Sequence, residues 1–167
     1  MKRRAYENTD VSPGRSQEAI RKTLRAHGIR QVQFTECWPE GLAVEFIRLE
    51  RNGGAIEKVI RVRIVGKPDA DQLRWRGRGK APATALERRA DTELRRVYRV
   101  IFHHLKTKLE AVAEGLVAFE EEFLPHIVLP NGATVYEELK ATLPKILAGT
   151  QQLALPSLAG IQEKNAR

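Results

Sequence analysis

Apolar residues between Leu86 and Phe123 recur at steps of three and four, and this spacing constrains the fold more than any other feature of the chain. The recurring positions are Leu94, Val97, Ile101, Leu105, Leu109, Val112, Leu116, Phe119 and Phe123. Such steps place the side chains on one stripe of an α-helix, and no proline interrupts the run. The pattern predicts one amphipathic helix about 50 Å long, at a rise of ~1.5 Å per residue. We expect it to be the spine of the fold and a seam for a second copy or a partner.

A shorter helix is predicted near the N-terminus. Ser12, which precedes a proline, and Ser16 both offer an N-cap, and Gly28 is a suitable C-terminal stop. Ile20 and Leu24 form a narrow apolar edge, and arginine and lysine are frequent at the other positions. We therefore expect a thinly buried, strongly cationic helix. Residues 1–11 lack periodicity, and we interpret them as an arm that is either flexible or laid over the body of the domain.

Three strands are predicted between these two helices. Polar and apolar residues alternate from Gln31 to Cys37, which is typical of a half-exposed strand. Two further strands, 42–49 and 56–65, flank an Asn-Gly pair, which is a strong hairpin signal. The three strands should form an antiparallel meander. Because Arg61 and Arg63 alternate with apolar residues, we expect one face to pack while the other presents guanidinium groups.

The residues after the long helix predict a last helix and a tail. Thr134 and Glu137 fit a capping box, and that helix should run to about Ala148, with Pro144 kinking or splitting it. The fold class is α+β: an N-terminal helix, a three-stranded antiparallel meander, one long helix across the sheet, and short C-terminal helices. We expect a single domain over residues 12–149, followed by a tail over 150–167.

The amino-acid composition indicates the class of binding partner and the cellular location of the protein. Lys and Arg number 29 against 21 Asp and Glu, and the net charge of +8 favours a polyanionic partner, DNA or RNA. Cys37 is the only cysteine, which excludes an intramolecular disulfide and favours a cytoplasmic location. No run of about 18 apolar residues is present, so we expect no membrane span.

Residues 74–80 carry the most specific functional signal. Four cations alternate with one tryptophan and two glycines, a composition that suits a phosphate backbone with a base stacked on the indole. The alternative is a solvated loop whose Trp75 is buried in the core. The candidate nucleic-acid-binding residues are Arg61, Arg63, Arg74, Trp75, Arg76, Arg78, Lys80, Arg88, Arg89, Arg95 and Arg96. We expect the strand arginines and those of the helix to border one groove.

No motif indicates catalysis, a metal or a cofactor. His103 and His104 are adjacent, so on a helix they point about 100° apart and we interpret them as surface or core histidines. Glu138 and Lys140 match a nuclease element, but they fall inside the predicted capped helix rather than at strand ends. The run Glu120-Glu121-Glu122 is interpreted as a solvated face, or as an acidic patch that meets the basic N-terminal helix of the same or another chain.

Two stretches carry a resemblance to a known family. They are Glu7 to Ser16, and Lys108 to Gly132 with its Phe119-Glu120-Glu121-Glu122-Phe123 and Leu129-Pro130-Asn131-Gly132 segments. Together they resemble small proteins of unknown function encoded by phages, prophages and mobile elements. The resemblance implies a bacterial cytoplasm and neighbours that act on DNA, and it transfers no functional residue. The order of meander and long helix is also similar to the core of phage single-strand annealing proteins.

These observations predict a non-catalytic nucleic-acid-binding protein that favours single strands. Phage or mobile-element DNA metabolism is the expected setting. The alternative is a protein-protein interaction module, or an inhibitor, that docks on a partner nucleic-acid enzyme through the long helix. A homo-oligomer is compatible with either function.

Overall fold

The computed structural model describes residues 4–75, 77–140 and 142–149. Its elements are α1 (Pro13–Ala26), β1 (Gln31–Cys37), β2 (Gly41–Asn52), β3 (Ala55–Gly66), α2 (Ala70–Leu73), α3 (Ala83–Ala113), α4 (Phe119–Phe123), a 3₁₀ turn (Leu124–His126), α5 (Val135–Leu139) and α6 (Leu143–Leu147). The predicted α+β fold class is confirmed. The tail predicted over 150–167 lies outside the described residues.

The N-terminal helix forms as its cap and its narrow apolar edge predict. The Ser12 hydroxyl accepts a hydrogen bond from the Arg15 backbone N–H at 3.3 Å, which satisfies one of the free donors of the first turn. Ser16, Ile20 and Leu24 are buried along one edge. α1 therefore packs through a thin stripe and leaves its other positions to solvent.

The sheet has the order β1-β2-β3, and both pairings are antiparallel. Gly53 and Gly54 connect β2 to β3 with φ values of 57° and 89°, and two residues with positive φ are what a type I′ hairpin requires. In β3 the apolar Ile60, Val62 and Ile64 are buried. The predicted meander and its two unlike faces are confirmed.

α3 is shorter than predicted. It ends at Ala113, because Gly115 adopts a φ of 70° and closes the helix with a two-bond cap. In that cap the Gly115 N–H donates to the Val112 carbonyl at 3.1 Å and the Leu116 N–H to the Ala111 carbonyl at 3.0 Å. The prediction of one uninterrupted helix to Phe123 is wrong, since the chain turns at Gly115 and resumes as α4.

α1 and α3 lie on one face of the sheet and enclose the core. Its buried apolar residues are Ile20, Leu24, Ile29, Leu42, Val44, Phe46, Ile60, Val62, Ile64, Val97, Tyr98, Ile101, Leu105, Leu109, Phe119 and Phe123. α3 approaches the end of β3 closely at Gly66, where an added Cβ would lie 2.5 Å from Val97 Cγ1. The central part of the apolar stripe of α3 is thus buried against other elements of the same chain.

The two helices run in the same direction. The Gln17 side chain of α1 donates to the Tyr98 hydroxyl at 2.8 Å, and that hydroxyl also contacts the Glu36 carboxylate of β1. At the C-terminal end of α1, His27 and Ile29 lie beside Leu109 of α3. Burial, together with the hydrogen bond to Glu36, raises the pKa of Tyr98, so this buried phenol remains neutral.

The C-terminal elements follow their predicted signals. The Thr134 hydroxyl accepts from the Glu137 N–H and the Glu137 carboxylate accepts from the Thr134 N–H, which completes the capping box. α5 ends at Leu139, and α6 begins one residue before Pro144. The predicted last helix is therefore split into two short ones.

Among the described residues, no helix combines the length and the apolar character needed to cross a membrane.

Candidate nucleic-acid interface

The loop after β3 folds onto the first turns of α3. The Asp69 side chain caps α2 by accepting from the Asp71 N–H at 3.0 Å. The Arg89 guanidinium of α3 then donates to the carbonyl oxygens of Arg74 at 2.8 Å and Gln72 at 3.4 Å. It also lies 5.8 Å from the centroid of the Trp75 ring. Arg89 thereby joins the predicted binding loop to the helix.

A cavity of about 320 Å³ opens between this loop and α3. Its lining consists of Arg4, Gln72, Arg88, Arg89, Thr92 and Glu93. Arg88 is exposed, and its side chain has no hydrogen bond or ion pair within the described part of the chain. Three guanidinium groups against a single carboxylate give the lining of this cavity a net positive charge.

That carboxylate is buried and its acceptors are already used. Glu93 is 2% exposed and accepts from Arg96 Nη2 at 2.7 Å, from Arg4 Nη1 at 3.1 Å and from the Asp69 N–H at 2.9 Å. Burial by itself would raise the pKa of Glu93, but the hydrogen bond from Arg96 and the other two donors outweigh it, so the pKa lies below its ordinary value. Arg4 and Arg96 are therefore committed to the fold.

Trp75 is half-buried at the edge of this site. A Cβ added to Gly77 would lie 2.3 Å from the Trp75 ring, so the loop turns tightly against the indole. Trp75 is not a member of the core cluster, and its indole N–H is buried without a hydrogen-bond partner among the described residues. The ring therefore belongs to the loop surface and not to the core.

The other loop cations remain available. Arg74, Arg78 and Lys80 are exposed, and none of the three side chains makes an ion pair within the described ranges. Arg76, a fourth predicted contact, lies outside the described residues. The structure thus brings Arg74, Trp75, Arg88 and Arg89 to one surface, with Arg78 and Lys80 on the same loop.

The strand arginines lie elsewhere. Arg61 and Arg63 project from the open face of the sheet, where both donate to Glu45, Arg61 Nε at 3.0 Å and Arg63 Nε at 2.6 Å. Arg63 also donates to the Gly132 carbonyl at 3.0 Å. Arg61 lines a separate cavity that includes Gln31. These arginines therefore do not border the groove expected between strand and helix.

Two further predicted contacts are also occupied. Arg95 pairs with Asp91 at 2.6 Å, one turn before it on α3, and Arg96 is held by Glu93. Sequence reasoning missed the cluster of Arg4 with Glu93. One signal for it is available, since Glu93 falls four residues before Val97 and so places a carboxylate on the apolar stripe.

The histidines take part in packing. His103 stacks on Tyr6, with ring centroids 4.6 Å apart, while the rings of His104 and His126 lie 5.9 Å apart. Burial lowers the pKa of His104 and His126, and nearby Lys108 adds to the effect. Within the described ranges, no group of three or more His, Cys, Asp or Glu side chains is placed to hold a metal ion.

Comparison of the chain with family models, with curated proteins and with solved structures finds no match.

Proposed function

We propose that this protein binds nucleic acid without cleaving it and favours single strands. The observation that carries the proposal is the docking of the 74–80 loop onto α3, which groups Arg74, Trp75 and Arg88 beside an arginine-lined cavity. Phage or mobile-element DNA metabolism in a bacterial cytoplasm, the context that the family resemblance implies, is part of the same proposal.

The proposed phosphate contacts are cations that have no carboxylate partner among the described residues. A guanidinium or ammonium group that already neutralises a carboxylate releases fewer counterions from a phosphate than an unpaired one. Arg74, Arg78, Lys80 and Arg88 are unpaired within the described residues, so they are the proposed phosphate contacts. The Trp75 ring is the proposed platform for one base, which would favour strands whose bases are unstacked.

Arg88 and Arg89 lie near the start of α3, and this position supports a role for them in binding an anion. The first turn of α3 contains no acidic residue, and the second turn carries these two arginines and one carboxylate, Glu87. The N-terminal end of a helix carries partial positive charge, so cations placed there oppose the helix dipole. Such a placement is useful for attracting an anion, because the dipole and the side chains then act in the same direction.

A salt series on single- and double-stranded oligonucleotides tests the proposal. We expect single strands to bind more tightly, with an affinity that falls steeply as salt rises, by a log–log slope on the order of −0.7 for each phosphate contact. Absence of binding to either oligonucleotide at low salt would contradict the proposal.

A second candidate function is an interaction module or inhibitor that docks on a partner nucleic-acid enzyme. The central α3 stripe is buried within the chain, so a partner would have to contact the end of the helix. Leu116 supports this candidate, because it follows α3 and is 81% exposed. Absence of nucleic-acid binding at low salt, together with a loss of partner binding when Leu116 is changed, would favour it.

A further inference from the structure

The chain is strongly acidic at the end of α3 that lies away from the 74–80 loop. Residues 110–140 contain seven carboxylates and one lysine, although the whole chain has a net charge of +8. Glu110, Glu114 and Glu121 are exposed, and their side chains have no hydrogen bond or ion pair within the described residues. A surface of this sign repels nucleic acid, so it is not part of the proposed nucleic-acid contact.

Exposed apolar side chains accompany these carboxylates. Leu116 is 81% exposed and Leu124 is 51% exposed. The cap that ends α3 holds the backbone of Leu116 through its N–H bond to Ala111, so this side chain projects from a fixed position. We define the acidic surface as Glu110, Glu114, Leu116, Glu121 and Leu124. Apolar anchors among unpaired charges are typical of a protein-binding surface.

The outer side of α1 has the complementary chemistry. Arg15, Lys22 and Arg25 are exposed and, within the described ranges, their side chains have no hydrogen bond or ion pair. Steps of seven and three residues place them on one side of the helix, opposite the buried Ile20 and Leu24. Glu18 lies on the same side and pairs with Arg21, with the charged groups 3.6 Å apart. We call these three cations the α1 stripe. Their aliphatic stems are also suited to cover an exposed leucine.

The C-terminal ends of α1 and α3 are neighbours, and they carry Arg25 of the α1 stripe and Glu110 of the acidic surface. α1 runs alongside α3, and a cavity of about 360 Å³ is shared by His27 and Gly28 at the end of α1 with Val112 and Ala113 at the end of α3. When complementary surfaces are neighbours on one molecule, a two-fold axis can bring each against its counterpart on a second copy. Both contacts then form at once.

We propose that a second copy of this chain docks on the acidic surface and forms a two-fold dimer. In this dimer the α1 stripe of each copy pairs with Glu110, Glu114 and Glu121 of the other, and Leu116 is buried beneath the arginine and lysine stems. Charge complementarity sets the orientation, and burial of Leu116 adds affinity. The 74–80 loop takes no part in the contact, so dimer formation is independent of the proposed nucleic-acid binding.

Sedimentation of the full chain at low and high salt tests the dimer. At low salt we expect twice the 18.9 kDa mass of one chain, and at high salt a shift toward the single-chain mass as the charge pairs are screened. Leu116→Ser should weaken association at both salt concentrations without altering the circular dichroism spectrum, because the side chain is exposed in one copy. A single-chain mass at low salt would overturn the proposal.

A charge swap supplies the sharper test. The variant Glu110→Lys with Glu114→Lys, and the variant Arg15→Glu with Lys22→Glu, should each sediment as a single chain, since like charges then oppose each other in both contacts. An equimolar mixture of the two should recover a mass of twice one chain, because both contacts of the mixed dimer are complementary again. Failure of the folded variants to associate in the mixture would refute the contact.

The α1 stripe has one competing ligand, which the same variants identify. If Arg15→Glu with Lys22→Glu flattens the salt dependence of oligonucleotide binding while the wild-type protein sediments as a single chain, the stripe contacts nucleic acid and the dimer is overturned. If oligonucleotide binding persists with an unchanged salt slope while the dimer is lost, the dimer proposal is supported.

Discussion

The arginines on the open face of the sheet and those beside the 74–80 loop have the same chemistry but different partners. On the sheet, Arg61 and Arg63 share the carboxylate of Glu45, which is 14% exposed. Beside the loop and among the described residues, Arg88 has no partner, and Arg89 binds only backbone carbonyls and the indole ring. The sheet arginines are paired with a carboxylate, while the arginines beside the loop have no carboxylate partner within the described residues.

This difference shows that the number of cations in the sequence is larger than the number that can bind a polyanion. The Coulomb attraction of an arginine for a phosphate is reduced when a carboxylate lies within hydrogen-bond distance of the same guanidinium. By this criterion Arg61, Arg63, Arg95 and Arg96 belong to the fold, and Arg74, Arg78 and Arg88 belong to the proposed interface.

The largest expected effect is at the buried carboxylate beneath the cavity. Glu93→Ala should cost about 3–5 kcal/mol in the free energy of unfolding, because it leaves the Arg96 and Arg4 guanidinium groups without their carboxylate. Denaturant unfolding measures this cost. Asp91→Ala is the matched control, since it removes an exposed pair with Arg95 on the same helix and should cost less than about 1 kcal/mol. Equal costs for the two variants would show that burial does not distinguish these pairs.

Much of the fold could be predicted because its signals are local. The β1 strand, the hairpin glycines and the capping box at Thr134 each depend on a few neighbouring residues, and all are confirmed. The end of α3 was mispredicted because the apolar period continues to Phe123 without a proline, whereas the residue that ends the helix is a glycine, Gly115. The apolar period continues past Gly115 because α4 returns Phe119 and Phe123 to the same core.

The site was harder to predict, because its organisation depends on contacts between distant residues. Glu93 stands out on the apolar stripe of α3, but Arg4 reaches it from a segment without any periodicity, so no local pattern indicates which residue is its partner. The pairing of Arg63 with Glu45 follows from the strand register, in which the two residues lie directly opposite. A β-bulge at Glu50 and Arg51 shifts that register by one residue from the one that the hairpin turn alone would set, in which Glu45 would lie opposite Val62. The turn therefore does not predict this ion pair.

A second prediction concerns Trp75. Trp75→Ala should weaken single-strand binding by roughly 1–3 kcal/mol through the loss of one base stack, while thermal stability stays nearly unchanged because the ring lies outside the core cluster. Fluorescence-detected binding and thermal unfolding measure the two quantities. A loss of several kcal/mol in stability would instead indicate that the indole supports the fold.

A third prediction compares the two sets of arginines directly. Arg74→Gln with Arg78→Gln should reduce the magnitude of the salt slope for single strands by about 1.4, the equivalent of two phosphate contacts. Arg61→Gln with Arg63→Gln removes the same charge from the sheet, and we expect the slope to stay unchanged. If both double variants flatten the slope equally, net charge rather than position determines binding, and the distinction between the two regions fails.

The smallest expected effect is at Glu45 and depends on pH. Burial by itself would raise the pKa of Glu45, but the hydrogen bonds from Arg63 and then Arg61 outweigh it and hold the pKa below its ordinary value. A carboxyl whose pKa is lower in the folded state stabilises the protein above the pKa of the unfolded chain, and this contribution is lost as the pH falls through the folded value. Glu45→Gln should therefore cost about 1 kcal/mol near neutral pH, a modest amount because Arg61 is half-exposed and solvent screens the pair. In unfolding experiments on both proteins across the acidic range, the difference should shrink as Glu45 becomes protonated. A difference that persists undiminished at acid pH would mean that Glu45 acts through packing, and that its charge does not hold the two strand arginines.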